Sequence, residues 1–153
     1  MSVEQKLSEL NLSLPTLPAS KGIYKKCVAV GNLLYLSGHV SVRSDGNSIT
    51  GKLGKDLSDE EGRIAARQCG LAILSSLKDH LGNLDKIRRV IKIFGMVNSI
   101  PEYQNHPVII NGCSELYVQL WGEENGKGVR SAVGMGSLPG NVAIEIEAIF
   151  EVS

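Results

Sequence analysis

The chain has 153 residues, 42% apolar and 21% charged, which suits one domain with a real core and not a disordered segment. Sixteen Lys and Arg balance sixteen Asp and Glu for a formal net charge of zero, an argument against reliance on phosphate contacts with nucleic acid. No apolar run approaches the ~20 residues of a membrane span, and the polar opening MSVEQKLSEL has no signal-peptide core, so a cytoplasmic location is expected.

The N-terminal stretch places Val3, Leu7 and Leu10 at helical spacing, predicting a short helix that the LPTLP stretch, with Pro15 and Pro18, ends. Residues 1–20 therefore read as helix and arm, and 21–153 as the domain proper. CVAVGNLLYLSG reads as two strands around a Gly31-Asn32 hairpin turn. Ser58 and Glu61 have capping-box spacing ahead of a long helix, with Ile64, Ala65, Cys69, Leu71, Ala72, Leu74, Ser75 and Leu77 as its apolar stripe and Gly82 as its stop. RRVIKIFGMVNS, rich in Val and Ile, is a strand. Pro107 opens a second long helix that Gly122 closes. VRSAVGM and VAIEIEAIFEV are two last strands, expected to form a hairpin around SLPGN. The sum is an α+β layer: a mixed sheet with two helices on one face. The strands carry apolar residues on both faces, so the uncovered face calls for a partner copy.

Arg130 is the sharpest chemical signal. Strand alternation puts it on one face with Ala132, Gly134 and Gly136, leaving space in front of a guanidinium. Its planar donors fit a carboxylate, either on a ligand or on an acidic neighbour in a salt bridge, and pattern alone leaves both readings open. Glu145 and Glu147 share a face of the last strand, where Glu145 either positions water and moves a proton or stands on a solvated face. Ser37, Gly38 and His39 end the first hairpin. The glycine permits close backbone approach, and the histidine is a candidate base without triad partners. With no HxH or HExxH pattern and three scattered cysteines lacking CxxC, metal sites and disulfides are not expected. Asn111 and Tyr24 mean little in isolation.

These positions acquire meaning together. Residues 130–149, RSAVGMGSLPGNVAIEIEAI, resemble the C-terminal signature R-S-x-V-x-V-x-x-L-P-x-x-x-x-I/V-E-I/V-E-A-I of the reactive intermediate deaminase (Rid) family. That family is also called YjgF and endoribonuclease L-PSP. Met135 stands in a position usually filled by valine. The LSG motif and the helical asparagine fit as well, so the likeness covers roughly residues 22–152, in a branch of longer, ~150-residue members.

The resemblance implies a chorismate-mutase-like subunit in a homotrimer, its sheets lining a central β-barrel and three ligand clefts lying between subunits. The implied reaction is hydrolysis of an enamine or imine, of the 2-aminoacrylate or 2-iminopropanoate type, to a 2-keto acid and ammonia, without cofactor or metal. Arg130 then corresponds to the arginine that grips the substrate carboxylate, and Glu145 to the acid that orients water. Ser37, Gly38, Tyr24, Asn111 and Ser131 fall at substrate-binding positions. A shared cleft requires the last hairpin to place Arg130 and Glu145 on one face. Ala132 departs from a common cysteine, Ser114 lies near the place of an aromatic ring, and His39 replaces a common glutamine. Two other readings stand beside the deaminase: a trimer that binds small carboxylates without turnover, and a ribonuclease or translation inhibitor.

Overall fold

The computed structural model describes residues 1–153. Its elements are α1 (Val3–Glu9), β1 (Cys27–Val30), β2 (Leu33–Val40), α2 (Asp59–Leu81), β3 (Ile87–Asn98), α3 (His106–Gly126), β4 (Val129–Met135) and β5 (Ile144–Val152). They build one five-stranded mixed sheet in the order β1-β2-β5-β3-β4, with α2 and α3 packed side by side against one face. The β1–β2 hairpin turns at Gly31, whose φ of +59° favours glycine. No helix is long and apolar enough to cross a membrane.

The expected hairpin of the last two strands does not form. β4 pairs with β3 in parallel, at the sheet edge, while β5 runs antiparallel to both β2 and β3 in the interior. Two causes are visible. α3 supplies the long crossover that a parallel β3–β4 pair needs. β5 buries Ile144, Ile146, Ala148 and Phe150 under the helices, which suits a central strand, whereas β4 is exposed along most of its length.

The core lies between sheet and helices. Ser58 caps α2 in a full capping box with Glu61, and Gly82 ends it in the left-handed conformation. Ile64, assigned above to the apolar stripe, is instead exposed, because α2 turns Ala65, Ala66 and Cys69 inward. Pro107 follows His106, the first residue of α3, and Gly122 breaks that helix at φ +79° before a last turn ending at Gly126. α1 docks on the same core through Val3 and Leu7, and the Val3 amide donates to Asp85 Oδ1 at 2.8 Å. The arm that follows is pinned to α2 where Ser75 Oγ donates to the Pro15 carbonyl at 2.7 Å.

Candidate functional site

Arg130 lies opposite Ile93 on β3, which in turn lies opposite Ala148 on β5. Opposed residues share a face, so Arg130 points to the helix side of the sheet. There its Nη1 donates to Asn111 Oδ1 at 2.7 Å and to Ser114 Oγ at 3.0 Å, both on α3. No carboxylate of this chain comes within 4.0 Å of it, so Arg130 makes no salt bridge within the subunit. The charge is held by two neutral oxygens and is exposed to solvent. Beyond it the strand floor is Ala132 and Gly134. At Gly134 the missing side chain makes room for His106, whose Nε2 lies 2.5 Å from where a Cβ would stand.

Glu145 is on the opposite face. It lies against Val40 of β2 and Met96 of β3, on the side away from the helices. The single-face placement of Arg130 and Glu145 is therefore corrected: without a β4–β5 hairpin no turn brings the two together, and within one chain the sheet stands between them. Burial pushes the Glu145 carboxyl above its ordinary value, and the charge of Glu147 on the same face pushes it further.

The sequence run Ser37-Gly38 explains how Glu145 is seated. Between Leu36 and His39 the β2–β5 register slips by one residue, a bulge that stands the Ser37-Gly38 backbone beside β5. A Cβ on Gly38 would lie 2.9 Å from Glu145 Cδ and closer still to Oε1. The glycine is therefore what lets the carboxylate lie on the backbone. Ser37 donates through Oγ to the Lys25 carbonyl at 2.5 Å and through its amide to the Lys26 carbonyl at 2.9 Å. These bonds tie the segment carrying the exposed Tyr24 to the same bulge. His39 fixes the bulge from the other side. Its Nδ1 donates to the Ser37 carbonyl at 2.6 Å, and its Nε2 lies 2.7 Å from Ser76 Oγ. The ring is buried and desolvation lowers its pKa, so His39 is a strut and not an accessible base.

Two clusters result. Ser37, Gly38 and Glu145 belong to one, with exposed Tyr24 on the adjoining segment, and Arg130 and Asn111 belong to the other. Ser131 faces away from Arg130: it lies opposite Phe94, itself opposite Glu147, which puts it on Glu145's face of the sheet but on the edge strand β4, with β3 between them. Ser114 is the residue that sequence reasoning passed over as a ligand for Arg130. Its spacing of three from Asn111 on a helix was the available signal. Cys113, beside it, is fully buried with its thiol pushed up to about 12 by desolvation. No three His, Cys, Asp or Glu side chains gather where they could share a metal.

Comparison with known proteins gives the family. The family model described as "YjgF/chorismate mutase-like, putative endoribonuclease" matches residues 4–147. The chain belongs to the YjgF family. Protein TCP17 of Trypanosoma cruzi is 36% identical over 151 residues, covering 99% of this chain and 94% of that one. The crystal structure of Atu1372 from Agrobacterium tumefaciens is 42% identical with a TM-score of 0.89, over 99% of this chain and 94% of that one. A Shewanella oneidensis protein, titled "putative endoribonuclease", is 27% identical with a TM-score of 0.94, over 99% and 100%. As a YjgF-family member the chain carries the mixed α+β fold expected from its signature, and its likeness to these chains runs nearly end to end.

Proposed function

We propose that this YjgF-family chain hydrolyses small 2-imino acids, in their imine or enamine form, to 2-keto acids and ammonia. The observation that carries the reading is Arg130, a guanidinium fixed in place by neutral acceptors and left without a carboxylate of its own. Such a group binds a carboxylate by charge and paired donors. The reaction asks little more. Water adds to the imine carbon, its proton passing to Glu145. The nitrogen is protonated and leaves as ammonia while the new hydroxyl collapses to a carbonyl. Glu145 acts as the base, and a carboxyl raised toward the working pH is better matched to that transfer.

Arg130 and Glu145 face opposite sides of one sheet, so one ligand meets both only if they come from different copies of the chain. The proposal therefore includes a homotrimer with clefts between subunits. Supporting it are exposed Val28, Val30 and Tyr35 on the β1–β2 hairpin and Val129 on β4, at the two free sheet edges. The endoribonuclease named in the family description is the rival, and a balanced net charge gives it no electrostatic support.

The test couples an amino-acid dehydratase or oxidase to the purified protein and follows decay of the imine it releases. Accelerated decay with wild type, lost in Arg130→Ala, is expected. No acceleration, or equal acceleration by the variant, sinks the deaminase. Carboxylate binding without acceleration indicates a binding protein, and salt-sensitive binding of single-stranded RNA favours the ribonuclease.

A further inference from the structure

Arg130 has five N–H donors, and two of them are already committed. Nη1 carries two protons, and the structure gives it two acceptors, Asn111 Oδ1 at 2.7 Å and Ser114 Oγ at 3.0 Å. Residues 111 and 114 lie three apart on α3, so both project from one face of the helix toward β4. A carboxylate can dock on a guanidinium in two bidentate ways: end-on, across Nη1 and Nη2, or side-on, across Nε and Nη2. With Nη1 occupied, only the side-on edge keeps both donors.

We infer that Ser114, together with Asn111, is a positioning residue that locks the Arg130 guanidinium so that its Nε–Nη2 edge receives the ligand carboxylate. The inference deepens the carboxylate-clamp reading above and rests on it. One contact leaves the guanidinium free to swing about that contact, whereas two contacts on the same nitrogen fix its plane. Both acceptors are neutral, so the lock leaves the positive charge for the ligand. Ser114 acts through Arg130 and touches no reacting atom.

The experiment measures pyruvate, a stable 2-keto acid, binding to the full-length protein by calorimetry, with wild type, Ser114→Ala and Ser114→Thr. In parallel, nitrogen-15 spectra follow the Arg130 Nε–H, assigned by its loss in Arg130→Lys. Ser114→Ala is expected to weaken pyruvate binding roughly five- to tenfold without a change in melting temperature, and Ser114→Thr to restore it. The Nε–H resonance is expected to shift on addition of pyruvate. Wild-type affinity in Ser114→Ala, or binding that leaves the Nε–H resonance unmoved, overturns the inference. Pyruvate binding with this pattern but no imine hydrolysis sinks the deaminase and leaves the lock standing. Imine hydrolysis with an unaltered Ser114→Ala affinity does the reverse.

Discussion

Replacing Gly38 with alanine separates the seat of Glu145 from the stability of the fold. The new methyl would stand 2.9 Å from Glu145 Cδ, where ordinary contact begins at 3.4 Å. The carboxyl must therefore retreat by about half an ångström at Cδ and by more at its nearer oxygen. Gly38 is not among the glycines with positive φ, so alanine meets no backbone penalty there. The clash falls on the movable end of a side chain, and Gly→Ala at a compatible position stabilises by about 0.4–1 kcal/mol through the unfolded state. The two effects offset, and the melting temperature should hold within a few degrees. The rate should not. A reacting group displaced by about 1 Å costs on the order of a hundredfold, so on the proposed reading of Glu145 as the base, kcat/KM for imine hydrolysis should fall by about that factor. Thermal melts and the coupled imine assay read the two quantities on one preparation. A Gly38→Ala variant with the wild-type rate refutes the proposed role of Glu145 seated on the bulge, and a loss of rate that only tracks a loss of folded protein refutes it equally.

Two further outcomes follow from other parts of the structure. On the proposed reading Glu145 must be ionised to take a proton, and burial raises its pKa, so the acid limb of the pH–rate profile should lie above the ordinary glutamate value. Removing the neighbouring charge in Glu147→Gln should shift that limb to lower pH, and an unmoved limb would assign it to another group. Gly112 faces α2 so closely that a Cβ would lie 2.9 Å from the carbonyl carbon of Arg63. Backbone cannot swing aside as a carboxyl can, so Gly112→Ala should cost about 1–3 kcal/mol in urea denaturation. An unchanged midpoint would show that the two helices slide apart freely.

Much of this was legible in the chain. Local signals are written in adjacent residues: Ser58 with Glu61 specified the start of α2, Gly82 its end, and Gly31-Asn32 the first hairpin. The RSAVGM…IEIEAI signature pointed to the family, and it singled out the two residues on which the proposed chemistry rests. The pairing of the last two strands was not legible. Strand neighbours depend on long-range packing, and nothing in SLPGN distinguishes a turn back from a passage across the end of β3. From that one error followed the expectation that Arg130 and Glu145 share a face. The role of Ser114 was hidden for a different reason. A serine on a helix usually meets solvent or backbone, and only the parallel β3–β4 pairing brings Arg130 over it.

The opposed faces of Arg130 and Glu145 also separate two events that coincide in most enzymes. A chain can complete its core, bind its own helices to its sheet and set both side chains in place, and still hold no catalytic centre. On the proposed reading, chemistry begins at association, so that protein concentration governs whether a fully native molecule is an enzyme at all.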